Sequence, residues 1–225
     1  MLLGMRLADG AGRHLLRHGH VPDGSPMNQH DEALYMAVAE RTVLQMLDVS
    51  SHILALPHLM IARAAIRILK HAQRGSSIWL IGNGGSFSNA EHIALDLSIT
   101  GHIPHVYSSP TQPVITAIAN DTEFEFVFLR WLAGRARTSD LLIALSCSKT
   151  STNILNACQW ASARQIEIIG LWGQPKHEGA DRYSDLNIYV DTDDYRTIET
   201  CHLAIGQWWA AILADVGKDE LPKAA

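Results

Sequence analysis

Between Asp31 and Leu54 the apolar residues Leu34, Val38, Val43, Leu47 and Leu54 recur at roughly helical spacing, and a second such run follows Pro57 as far as His71. Two helices are therefore expected ahead of any sheet. The period then changes: Ser77-Ile78-Trp79-Leu80-Ile81-Gly82 is a short apolar run ending on glycine. That pattern predicts a buried strand and a glycine turn, with a helix over about Ser88 to Ile99. Leu141 to Leu145 repeats the arrangement, with a Ser/Thr-rich turn at 146–151 and a helix through Ala163. Ile166 to Leu171 and Leu186 to Val190 add short apolar runs, and Tyr195 to Val216 predicts a long closing helix. Strands alternating with helices imply an α/β fold with a parallel sheet covered on both faces.

The chain has 225 residues, 47% of them hydrophobic, which is enough for one well-buried core and cramped for two. The domain is expected over residues 31–216, with a short tail at 217–225. Residues 1–30 lack sustained periodicity and are expected to be a flexible extension, translated upstream of a start at Met27. His14, His18 and His20 stand at helical spacing there, but in so polar a stretch they are read as solvated. A net charge of -5 and the absence of any Lys/Arg-rich run argue against nucleic acid as a partner. Cys147, Cys158 and Cys201 are odd in number and form no CxxC pair, so a disulfide framework and a thiolate zinc site are both unexpected. No apolar run reaches the length of a membrane span, and a cytoplasmic location without membrane contact is expected.

Two loops carry the candidate chemistry. In Gly82-Asn83-Gly84-Gly85-Ser86 the glycines let backbone N–H groups approach a ligand, and Ser86 offers a hydroxyl near a helix start, which suits an anion. Position 87 is Phe where a dinucleotide fingerprint has glycine, and no Gly-Lys-Ser/Thr follows, so no nucleotide cofactor is expected. Ser146-Cys147-Ser148-Lys149-Thr150-Ser151 sets four hydroxyls and one ammonium where a strand ends and a helix begins. A helix cap needs only one hydroxyl, so four of them beside Lys149 point to a bound phosphate. Cys147 has no histidine placed by sequence to activate it and is read as a small packing residue. Trp79, Trp131, Trp160 and Trp172 are read as core or interface.

These loops resemble the sugar-isomerase (SIS) domain family and, within it, the phosphoheptose isomerases. The resemblance covers about residues 31 to 216. It rests on Gly82 to Ser86 followed by Asn89-Ala90-Glu91-His92, on Ala119-Asn120-Asp121, on Leu145 to Ser148 with Ser151 and Asn153-Ile154-Leu155, and on Ile198 to His202. It implies a three-layer αβα sandwich with a central parallel sheet, preceded by N-terminal helices. It also implies a phosphosugar substrate bound by Ser86, Ser146, Ser148 and Ser151, with Asn83, Gly84, Asn120 and Asp121 contacting sugar hydroxyls or organising the site. A homotetramer with active sites at subunit contacts follows from the same resemblance.

Aldose-ketose isomerisation moves a proton between adjacent carbons through an enediol, which needs a positioned base and proton management on two oxygens. The positions matching the family's catalytic and zinc-binding residues are His92 and Asp96 on one helix and Glu199 and Gln207 on the last. Spacings of four and eight residues put each pair on one helical face. Asp96 stands where the family has glutamate, Glu199 where it has glutamine, and Gln207 where it has histidine. An amide cannot accept and return a proton at neutral pH. Glu199 is the preferred base, with Asp96 and His202 as further candidate catalytic groups. His92, Asp96, Glu199 and Gln207 are the candidate ligands of one divalent metal, zinc by resemblance. Two main readings stay open: an isomerase of sedoheptulose 7-phosphate or a related heptose or octose phosphate, and a non-catalytic phosphosugar-binding or scaffold protein like the SIS proteins that associate with the replication initiator DnaA. A lyase or epimerase sharing the enediol step is a third.

Overall fold

The computed structural model describes residues 28–174 and 179–216. The chain divides into two compact units, residues 1–51 and residues 52–225. The start at Met27, His14, His18, His20 and the tail at 217–225 lie outside the described residues. The described part of the first unit is helix α1 (Gln29–Leu54), which continues past the unit boundary. None of its residues is buried, and Leu34, Val38, Met46 and Leu47 are each more than half exposed.

The second unit is a doubly wound α/β domain. Helix α2 (His58–Gln73) leads into β1 (Ile78–Ile81), α3 (Gly85–Ile99), β2 (Val106–Ser108), α4 (Gln112–Asp121) and α5 (Val127–Ala133). There follow β3 (Leu141–Ser146), α6 (Thr152–Ser162), β4 (Glu167–Trp172), β5 (Leu186–Tyr189) and α7 (Tyr195–Val216). The five strands form one parallel sheet in the order β2-β1-β3-β4-β5. Strand side chains alternate between two cores, as a pleated sheet requires. Ile78, Leu80, Leu141, Ile143 and Ile169 pack with α2, α3 and α7, while Trp79, Ile81, Leu142, Ala144 and Ile168 pack with α5 and α6. The result is the three-layer αβα sandwich expected from the alternation of elements. Strand β2 and helices α4 and α5 have no counterpart in the sequence reading. β2 is three residues long at the sheet edge, and α4 buries no residue completely, so neither shows a strong apolar pattern.

One buried ion pair ties a surface loop to the far edge of the sheet. Lys149 is 1% exposed, and its Nζ lies 3.2 Å from Asp181 Oδ2 and 5.4 Å from the centre of the Tyr189 ring. Burial opposes ionisation of Asp181, but hydrogen bonds from Tyr189, Lys149 and the Gly179 N–H outweigh it and hold the carboxyl below its usual range. Removing the Asp181 carboxylate takes a direct ionic partner from a buried ammonium, so Asp181→Asn is expected to destabilise the domain by roughly 3 kcal/mol. Urea unfolding of variant and parent checks this, with Asp193→Asn, on an exposed carboxylate, as the near-neutral control.

Candidate functional site

In a doubly wound sheet the crevice for a ligand opens where the strand order reverses, outside the carboxyl ends of the strands. Here that point lies between β1 and β3, which are neighbours although β2 intervenes in sequence. The loops released there are Gly82 to Ser86 and Ser146 to Ser151. Gly84 has φ +56°, a left-handed conformation that L side chains rarely adopt, and it lets α3 begin at Gly85 rather than near Ser88. Asn83 and Asn153 exchange side-chain hydrogen bonds, Nδ2 of each donating to Oδ1 of the other at 2.8 and 2.9 Å. This pair bolts the first loop to the helix that follows the second. In the second loop the Lys149 N–H donates to Ser146 Oγ at 3.1 Å, and the Ser148 and Ser151 hydroxyl oxygens are 3.5 Å apart.

Together the loops enclose a cavity of about 370 Å³. Asn83, Gly84, Ser86, Ser146, Ser148 and Ser151 all line it, as the sequence reading expects of a binding site. The N-termini of α3 and α6 open beside it, so two helix dipoles and four serine hydroxyls converge there. Gly85, Cys147, Tyr195 and Glu199 complete the wall. Any Cβ at position 85 would overlap the Glu199 carboxylate. Asn89 Nδ2 donates to the Glu199 backbone carbonyl at 2.7 Å, which fixes α7 against α3 at this point. The Cys147 Sγ lies 3.9 Å from both Ser86 Oγ and Glu199 Oε1. Burial pushes the Cys147 thiol up to about 11; the Ser86 hydrogen bond opposes this, and the Glu199 charge and hydrogen bond add to it. The thiol is neutral at pH 7 and is a wall of the cavity rather than a nucleophile.

Several predicted residues lie elsewhere. The Lys149 ammonium, expected to face the anion, is instead paired with Asp181 from a residue that sits at φ 59°. The cavity is therefore lined by hydroxyls and helix N-termini, and Glu199 is the charged side chain in its wall. Asn120 and Asp121 are exposed at the end of α4, hydrogen-bonded to each other, and do not line the cavity. His202 is fully buried, and neither ring nitrogen makes a hydrogen bond, the Trp172 backbone approaching without reaching hydrogen-bond geometry. Gln207 is exposed on α7. His92 Nε2 and Asp96 Oδ2 are 3.3 Å apart on α3, His92 exposed and Asp96 half-buried. Among the described residues no group of three His, Cys, Asp or Glu side chains could hold a metal ion. His92, Asp96 and Glu199 are thus not gathered into one such group. Sequence reasoning missed Tyr195, which carries no local signature because it only opens a helix, and it marked Asn153 within a motif without assigning its pairing with Asn83.

The structure is a parallel αβα sandwich in which a glycine-rich loop and a serine-rich loop meet at the switch point of the sheet. The sequence model of the SIS domain matches residues 44–173, and the chain belongs to the SIS domain family. It is similar to the phosphoheptose isomerase of Rhodospirillum rubrum, 30% identical over 160 residues that make up 69% of this chain and 85% of the relative. It is also similar to that of Campylobacter concisus, 35% identical over 143 residues covering 58% and 71% of the two chains. In fold it resembles the solved phosphoheptose isomerase of Neisseria gonorrhoeae, with a TM-score of 0.72 and 24% identity over 78% of this chain and 99% of that one. The structure from Francisella tularensis gives 0.68 and 23% over 84% and 100%.

Two consequences can be measured. Gly85→Ala should fold but displace the Glu199 carboxylate by about 1 Å or more, a shift that costs on the order of 100-fold where the carboxylate acts on a ligand. A crystal structure of the variant with a turnover assay reads both. His202, buried neutral, has its pKa pushed down to about 4, chiefly by burial. Its folded pKa lies below its unfolded value, near 6.5, so the stability it contributes is complete above that pH and is lost as pH falls toward 4. His202→Asn should flatten the decline of the unfolding midpoint over that window.

Proposed function

We propose that the protein is a phosphosugar aldose-ketose isomerase working through an enediol, with sedoheptulose 7-phosphate or a related heptose or octose phosphate as substrate. The observation that carries this reading is the Glu199 carboxylate in the wall of the cavity formed by Ser86, Ser146, Ser148 and Ser151. The hydroxyls and the two helix N-termini hold the phosphate, and this fixes the carbon chain relative to the carboxylate. Glu199 removes the proton from the carbon next to the carbonyl, giving an enediol, and returns it to the neighbouring carbon as the two oxygens exchange a proton. Gly85 leaves room for that carboxylate, and Asn89 holds the helix that carries it. Asp96, paired with His92, is kept as the second proton-handling group. The similarity to phosphoheptose isomerases supports the substrate class. A homotetramer belongs to the same reading, with the exposed Leu34, Val38, Met46 and Leu47 of α1 at a contact between copies, as does a cytoplasmic setting.

A second reading, a non-catalytic phosphosugar-binding protein, is favoured by the exposed and non-titrating Gln207 and by the burial of His202. Incubation with sedoheptulose 7-phosphate in deuterium oxide separates the two. The isomerase reading expects deuterium at the carbon next to the carbonyl, with the rate lowered about 100-fold or more by Glu199→Gln. Binding detected by thermal shift without any deuterium uptake establishes the binding protein instead.

A further inference from the structure

A second cavity, of about 490 Å³, lies at the opposite end of the sheet, where β1, β2 and β3 begin. Its floor is built around Asp140, which is 3% exposed. The carboxylate accepts hydrogen bonds from the Ser77 N–H at 3.0 Å, from Trp79 Nε1 at 2.9 Å and from the Arg137 N–H at 2.9 Å. These bonds fix Trp79, which is also clamped by rings on two sides: Tyr107 stacks on it at 4.8 Å and 26°, and Trp131 meets it edge-on at 5.2 Å. Tyr107 is 43% exposed and lines the cavity with the tryptophan it covers.

The rim is cationic although the chain as a whole carries -5. Arg135 and Arg137 line it, against the single carboxylate of Asp140, whose oxygens already accept three donors. Arg135 Nη1 donates to the Trp131 carbonyl at 3.0 Å, which holds that guanidinium in place. Among the described residues neither arginine is ion-paired. His105 sits at φ +58°, a left-handed conformation costly for a residue with a side chain, while its carbonyl accepts the Ile78 N–H at 2.9 Å. A rigid aromatic surface beside two unpaired guanidiniums suits a flat ring joined to a phosphate: the ring gains stacking area, and each guanidinium can take phosphate oxygens through paired N–H groups.

We propose that this cavity binds a nucleotide, its phosphates at Arg135 and Arg137 and its base against Tyr107, separately from the loops at the other end of the sheet. The full chain titrated with ADP by calorimetry tests this. Binding should weaken about tenfold or more in Arg137→Gln and in Tyr107→Ala, since each loses one charged or one stacking contact. Adenosine and inorganic phosphate should each bind more weakly than ADP, and Ser148→Ala should leave ADP binding unchanged. No heat at roughly millimolar ADP overturns the proposal, as do equal affinities for ADP and inorganic phosphate. Loss of ADP binding in Ser148→Ala with retention in both rim variants would move the nucleotide to the loops and also overturns it. The thermal shift by sedoheptulose 7-phosphate, measured on the same rim variants, reports separately on the phosphosugar reading.

Discussion

The adjacency of β1 and β3 is the constraint from which the rest follows. Parallel neighbours end at the same edge, yet their helices leave toward opposite faces, α3 to the layer shared with α2 and α7, and α6 to the layer shared with α5. Two helix N-termini are thereby brought beside one another with a gap between them. The buried parallel strands make that arrangement stiff, and the Asn83–Asn153 amide pair closes its back. The two loops that flank the gap each carry one left-handed residue, Gly84 in the first and Lys149 in the second.

Charge is distributed within the domain in an unexpected way. The lysine of the second loop is spent on holding that loop to β5 through Asp181, so the donors that line the cavity are neutral. Neutral hydroxyls and backbone dipoles do not neutralise the carboxylate that shares their cavity. A salt bridge between Lys149 and Glu199 would have done so.

Much of the fold was legible because its signals are local. The runs at 78–81, 141–146, 167–172 and 186–189 are short, apolar and bounded by polar turns, and each is a strand in the sheet. The loops were legible for the same reason: glycines and serines at a strand end act where they stand. What sequence did not reveal depends on distance along the chain. Lys149 turns toward a carboxylate 32 residues away, and Asn153 pairs with an amide 70 residues away. His202 lies one helical turn from Glu199, yet a packed helix puts one of them in the core and the other at the cavity wall. The Trp79–Tyr107–Asp140 assembly joins three strand starts and shows no motif at all.

Strand β1 is four residues long and has both cavities at its ends, Trp79 facing one core and Leu80 the other. Insertion of a single residue would exchange its two faces, driving tryptophan into the layer of α3 and isoleucine into that of α5 while rotating the glycine loop half a turn. The strand therefore acts as a ruler of fixed length. Added length in this domain is accommodated in its connections rather than in β1.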